Sequence, residues 1–98
     1  MTDVSAYRIV MSEEVQKHME SLPSATREYI EVQLRNTADE AGRHHDANVA
    51  RWRTPTSGIV SDGGSIRMGA QRYPYDNWYD RREVSLGMPY TAEGYLAT

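Results

Sequence analysis

Apolar residues along this chain follow two rhythms. Tyr7-Arg8-Ile9-Val10-Met11 is a short β-prone run between polar neighbours, too short for a helix, and it predicts a first strand. From Val15 the spacing changes, because Val15, Met19 and Leu22 recur at i, i+4 and i+7 and so form one helical stripe. Ser12 stands where its hydroxyl can accept a hydrogen bond from a free N–H of that helix, and Glu13 with Glu14 puts negative charge at the positive end of its dipole. Pro23 stops the helix, and Ser24 is placed to cap a second one. In that second helix Ile30, Leu34, Ala38 and Ala41 make the apolar stripe, Glu31 precedes Arg35 in the favourable i, i+4 order, and Gly42 suits the left-handed residue that ends a helix. The short Leu22-Pro23-Ser24 connection predicts an antiparallel two-helix hairpin whose stripes share one core.

Beyond Gly42 the helical period weakens. Helix can continue through Ala47, Val49 and Ala50 but not past Pro55. Gly58–Ser61, Ser65–Met68 and Glu83–Leu86 are strand candidates, the first two joined by a hairpin turn at Asp62-Gly63-Gly64. Tyr73–Asp80, interrupted by Pro74, is expected to be an irregular loop or an edge strand, and Tyr90–Thr98 a last strand or a frayed tail. The expected class is α+β: a strand, an antiparallel two-helix hairpin, then a small three- to four-stranded, mostly antiparallel sheet. At 98 residues the chain is expected to be a single domain over 1–98, with 1–6 and 91–98 as flexible ends.

Composition narrows the chemistry. The chain has no cysteine, so disulfides, thiolate nucleophiles and thiolate zinc sites are excluded. It has no apolar run long enough to span a bilayer and no signal-peptide pattern at its start, which predicts a cytoplasmic protein without membrane contact. Charge is unevenly spread: residues 1–49 carry 5 basic and 9 acidic groups, net −4, while residues 50–98 carry 6 and 5, net +1. Every basic residue of the second half is arginine, the side chain suited to bidentate contacts with phosphate or carboxylate.

No HExxH, glycine-rich phosphate loop or GxSxG elbow occurs, and the sequence asks for no metal or cofactor. His44 and His45 beside Asp46 are the first acid–base candidates, but adjacent positions on a helix point about 100° apart. They read more simply as a solvated helix end, and His18 as a residue on the border of the first apolar stripe. The arginines offer more. Arg51 and Arg53 flank Trp52, Arg67 and Arg72 lie in or after a strand, and Arg81 with Arg82 opens the next. If those strands share a sheet, some arginines meet on one face, where they can hold a phosphodiester and stabilise the extra negative charge of its cleavage, with Tyr90 or a histidine moving the proton. The plain alternative is that they pair with Asp46, Asp62, Asp76, Asp80 and Glu83 on a solvated surface. Five of the seven tyrosines and both tryptophans follow residue 50, a composition that suits the rim of a small core or a binding surface.

The first strand with its Ser12-Glu13-Glu14 continuation, and the run Leu22-Pro23-Ser24-Ala25-Thr26-Arg27-Glu28-Tyr29-Ile30, resemble the RelE/ParE superfamily of bacterial toxins. The second run is similar to its hairpin signature of Leu-Pro followed by an arginine and an apolar residue. The resemblance covers about a third of the chain. It implies a RelE/ParE-like toxin of a toxin–antitoxin pair, held inactive by a cognate antitoxin protein and acting as a metal-independent mRNA endoribonuclease on the ribosome or as an inhibitor of DNA gyrase. It also implies an active sheet after the hairpin, with Arg67, Arg81 and Tyr90 in the catalytic roles and Arg51, Arg53, Arg72 and Arg82 binding nucleic acid. The competing expectation is a non-catalytic protein-interaction module that uses Tyr75, Trp78 and Tyr79 of the aromatic segment 73–79.

Overall fold

The computed structural model describes residues 6–52 and 61–91. The first strand, β1 (Arg8–Met11), leads into α1 (Glu13–Ser21), whose N-terminus is capped as the sequence predicts, the Val15 N–H donating to Ser12 Oγ at 3.2 Å. The second helix, α2 (Ser24–Arg43), departs from the predicted pattern at both ends. Pro23 holds the N-cap position and Ser24, the first helical residue, makes no side-chain cap. Gly42 does not end the helix: it is buried within the last turn, and the chain breaks at His44 before α3 (His45–Trp52) begins.

Both predicted stripes supply the core. Val15 and Met19 from α1 and Ile30, Leu34, Ala38 and Ala41 from α2 are buried together with Tyr7, Ile66, Tyr73, Tyr79, Val84 and Leu86. Two histidines tie the helical layer to the strands. His18 Nε2 lies 2.7 Å from the hydroxyl of the buried Tyr73, and His45 Nδ1 is hydrogen-bonded to the hydroxyl of Tyr7.

The sheet corrects the expected layout of the second half. Asp62-Gly63-Gly64 is not a turn, because one eight-residue strand, β2 (Ser61–Met68), runs straight through it. The reversal comes at Gly69-Ala70, where Gly69 at φ 62° takes the left-handed position and the next strand begins at once. Gly64 sits mid-strand because Tyr75, its cross-strand partner, covers it: a Cβ there would lie 2.5 Å from the tyrosine hydroxyl. Of the strand candidate over 58–61, residues 58–60 lie outside the described residues.

Of Tyr73–Asp80 only Tyr79 and Asp80 lie in a turn, and the rest is neither a loop nor an edge. Residues 71–78 form β3 (Gln71–Trp78), paired with β2 on one side and with β4 (Glu83–Leu86) and β5 (Tyr90–Thr91) on the other. The strand order β1-β4-β3-β2 is antiparallel except for the parallel β1–β4 pair. Arg82, at φ 55°, holds the left-handed turn before β4, and its carbonyl accepts the Arg8 N–H at 3.0 Å to open that parallel ladder.

Pro74 is tolerated in a central strand because of where its missing N–H points. Its carbonyl accepts the Gly87 N–H at 2.8 Å, so both backbone groups of Pro74 face the β4–β5 junction, where the ladder is already irregular. Leu86 pairs with Tyr75 and Tyr90 with Arg72, so four steps along one strand answer three along the other. That single extra residue is a β-bulge.

Candidate functional site

The register divides the sheet into two faces. Tyr73, Tyr75, Asn77, Val84 and Leu86 point to the helices, so their neighbours Arg72, Pro74, Asp76, Trp78, Glu83 and Ser85 point away. On this face, which no helix among the described residues covers, three candidates from three strands form one row across the hairpin end. Arg67 of β2 stands directly opposite Arg72 of β3, and Arg72 stands directly opposite Tyr90 of β5. The bulge makes this row possible. In an unbulged ladder Pro89 would face Arg72 and Tyr90 would turn to the core side with Leu86. Arg67 and Tyr90 are exposed and Arg72 is half-buried.

Like charges directly opposite one another are unfavourable in a sheet. No acidic side chain among the described residues pairs with Arg67 or Arg72. Asp76, the acidic residue of β3 on this face, is four residues and hence ~13 Å from Arg72. Among the described residues the row is therefore a concentrated positive site beside a phenol.

The other arginines lie elsewhere. Arg81 sits beside Trp78, which is six residues along β3 from Arg72 and hence ~20 Å away at the far end of the face. There its guanidinium stacks 4.7 Å from the ring centroid of Trp78, whose indole N–H donates to Ser85 Oγ at 2.9 Å. Arg8 pairs with Glu83 at that same end, so its charge is answered. Arg82 lines a separate recess with Arg43, His44, His45 and Asp46 on the helical side. The row thus includes Arg67, Arg72 and Tyr90 but neither Arg81 nor Arg82. Arg53 and the side chain of Arg51 lie outside the described residues.

The histidines are placed too far off to serve this face. His18 and His45 are both engaged with tyrosines of the core on the helix-covered side, and His44 pairs with Glu40. Of the proton carriers named from the sequence, Tyr90 alone stands in the row. Burial raises the pKa of Tyr7 and Tyr73 above the ordinary phenol value. It does the same to Tyr79, whose hydroxyl also donates to Asp62 Oδ1 at 2.8 Å. These three phenols are structural.

The aromatic segment does not make one exposed patch. Tyr79 is 4% exposed and belongs to the core, Tyr75 points to the helical side and Trp78 to the opposite face. A feature missed in the sequence lies on the helical side, between α2, the start of α3 and residues 75–79. A groove of about 460 Å³ remains there, bordered by Gln33, Asn36, Asn48 and Asn77. The spacing Gln33, Asn36, Thr37, Glu40, His44, a polar stripe beside the apolar one, was its sequence signal.

No protein-family signature matches the chain, and no curated protein sequence does. Among solved structures, a double arginine-to-alanine mutant of the E. coli toxin RelE in its free state superposes with a TM-score of 0.56. The match has 17% identity and covers 91% of this chain and 86% of that one. The chain has the RelE fold. The likeness first read from the strand and the Leu-Pro hairpin thus extends, as architecture, over the sheet as well. In this RelE fold the arginine row occupies the sheet face that the helices leave bare. No helix among the described residues is long and apolar enough to cross a membrane.

Proposed function

We propose that this protein is the toxin of a bacterial toxin–antitoxin pair, acting in the cytoplasm on an anionic target through the Arg67–Arg72–Tyr90 row. The observation that carries the reading is the row itself, two arginines in register beside a tyrosine on the bare face of a RelE fold. Two guanidinium groups can grip one phosphodiester and strengthen their hold as negative charge builds on it. In an endoribonuclease the attacking hydroxyl releases its proton to solvent as it bonds to phosphorus, the bond to the leaving oxygen breaks, and the Tyr90 hydroxyl supplies the proton that oxygen takes up and is reprotonated from solvent. The same row can instead hold an acidic surface of DNA gyrase, with no bond broken.

Induced expression in bacteria should arrest growth, and co-expression of the cognate antitoxin should restore it. Arg72→Ala, which removes the centre of the row, should relieve the arrest more completely than Arg81→Ala. Messenger RNA fragmentation separates the nuclease from the gyrase branch. Harmless expression of the wild-type protein, or equal relief by the two alanine variants, would overturn the assignment to this row.

A further inference from the structure

The sheet face that no helix among the described residues covers has a second pole. Trp78 lies at its far end, six residues along β3 from Arg72 and hence ~20 Å from the arginine row. Its indole N–H donates to Ser85 Oγ at 2.9 Å, which holds the ring over the β3–β4 pair. The exposed Arg81 places its guanidinium on that ring, 4.7 Å from the centroid. Arg8 and Glu83 pair beside it, which leaves the Trp78–Arg81 stack as the recognition element of this end. A guanidinium plane backed by an aromatic ring is a platform on which a nucleobase stacks.

Between the two poles the surface is low. The residues that β2, β3 and β4 turn to this face there are Gly63, Ser65, Pro74, Asp76 and Ser85. Asp76 is the one charge among them, and its carboxylate is laid over Gly63, where a Cβ would come within 2.9 Å of Asp76 Oδ1. The β4 side of the path, past Ser85, is thereby left to a chain of phosphates. An unstacked single strand advances about 6–7 Å per nucleotide, roughly twice the 3.4 Å of a stacked one, so the two poles stand about three nucleotides apart.

We propose that Trp78 and Arg81 form a base-stacking subsite, and that the face takes a single-stranded run of four nucleotides. One phosphate sits in the Arg67–Arg72 row, and the base about three nucleotides away stacks on Arg81. The subsite rests on the RNA reading of the row and adds to it a footprint and a second point of hold. Stacking accepts any base, so the subsite selects an unpaired strand of sufficient length rather than a sequence. A duplex, whose bases are paired inward, has none to offer.

The test uses the Trp52→Phe protein, in which Trp78 is the single tryptophan. It is titrated at low salt with 2′-O-methyl oligoadenylates of two to six nucleotides, up to millimolar concentration; the methyl groups block the 2′-hydroxyls, so the strands stay uncut. Affinity should rise about tenfold between two and four nucleotides, the contribution of one stacked base, and little beyond four. Trp78 fluorescence should respond only to strands long enough to reach it. An abasic nucleotide at one end of the tetramer should cancel the gain, and at the other end should not. By calorimetry, Trp78→Leu should cancel the gain and leave dinucleotide binding unchanged, Arg81→Ala should reduce it, and Arg72→Ala should weaken every length. The abasic strand tests the same contact on a protein whose Trp78 is intact. Arg72-dependent binding with no gain at four nucleotides, or a gain that survives both Trp78→Leu and the abasic ends, would overturn the subsite and leave the row standing. No binding at any length would overturn the subsite and the RNA reading together.

Discussion

Replacing Arg67 with glutamate should stabilise the free protein while relieving the growth arrest proposed for it. The side chains of Arg67 and Arg72 leave the sheet from directly opposed positions, so their charges can be taken as about 6 Å apart. Two unit charges at that distance repel by about 0.7 kcal/mol in water, and a Debye length of about 10 Å at 0.1 M salt reduces this to about 0.4 kcal/mol. Arg67→Gln removes the repulsion and should gain about 0.4 kcal/mol, whereas Arg67→Glu also creates an attraction and should gain about 0.8 kcal/mol. For a chain of this size the larger gain corresponds to a rise of roughly 3–6 °C in Tm. Thermal unfolding of wild type, Arg67→Gln and Arg67→Glu at low salt and again at about 1 M salt, where the Debye length is about 3 Å, measures both steps. The gap between the Gln and Glu variants should nearly close at high salt and should vanish in an Arg72→Gln background. A gap that persists in that background, or a lower Tm for Arg67→Glu than for Arg67→Gln at low salt, would refute the opposed-charge geometry.

The core makes its own demands. Leu34 is fully buried, and Leu34→Ala should cost about 2–5 kcal/mol, read as a lower denaturant midpoint with an unchanged slope. The hydrogen bond between His18 and Tyr73 should appear as a coupling of roughly 0.5–1.5 kcal/mol in a cycle built from His18→Leu and Tyr73→Phe; simple additivity would show that the two groups do not interact. Tyr7, Tyr73 and Tyr79 all have raised pKa values, so the unfolded chain loses these protons first as pH rises past about 10. Stability should therefore be intact below that pH and fall above it, and Tyr79→Phe should flatten the fall measured by urea unfolding across the alkaline range.

How much of this was readable depended on whether a local pattern had one outcome or two. The Ser12 cap, the Val15–Met19 stripe and the Ile30–Leu34–Ala38–Ala41 stripe each had one, and all reached the core or the cap as expected. Gly63-Gly64 had two, since paired glycines serve equally for a turn and for a strand that another side chain must cross. The deciding partner, Tyr75, is eleven residues away along the chain. Pro74 misled in the same manner: a proline argues against a central strand unless its bare nitrogen meets a bulge, and the bulge is formed by residues 87–89. The alternation of Tyr73, Tyr75 and Asn77 towards the core was the truer signal. Convergence of arginines was foreseeable as a possibility of one shared face. Which of them converge was set by register, as was the facing of Tyr90, and register is a property of pairs.

That dependence on register also separates the charges that serve the fold from those that do not. At one end of the bare face Arg8 meets Glu83 and Arg81 lies over Trp78, so each guanidinium has a neighbour that offsets its charge. At the hairpin end Arg67 and Arg72 meet each other. A surface that needed only solubility would lose nothing if either became neutral, and the free protein would gain stability. Meanwhile residues 13–52, which form the helical layer behind the sheet, carry 5 basic and 8 acidic groups, net −3, and repel anions from that side. Under the proposed function an anionic ligand is turned from the helices and drawn to the hairpin end of the opposite face, where the local repulsion between two arginines becomes an attraction as soon as a negative group lies between them.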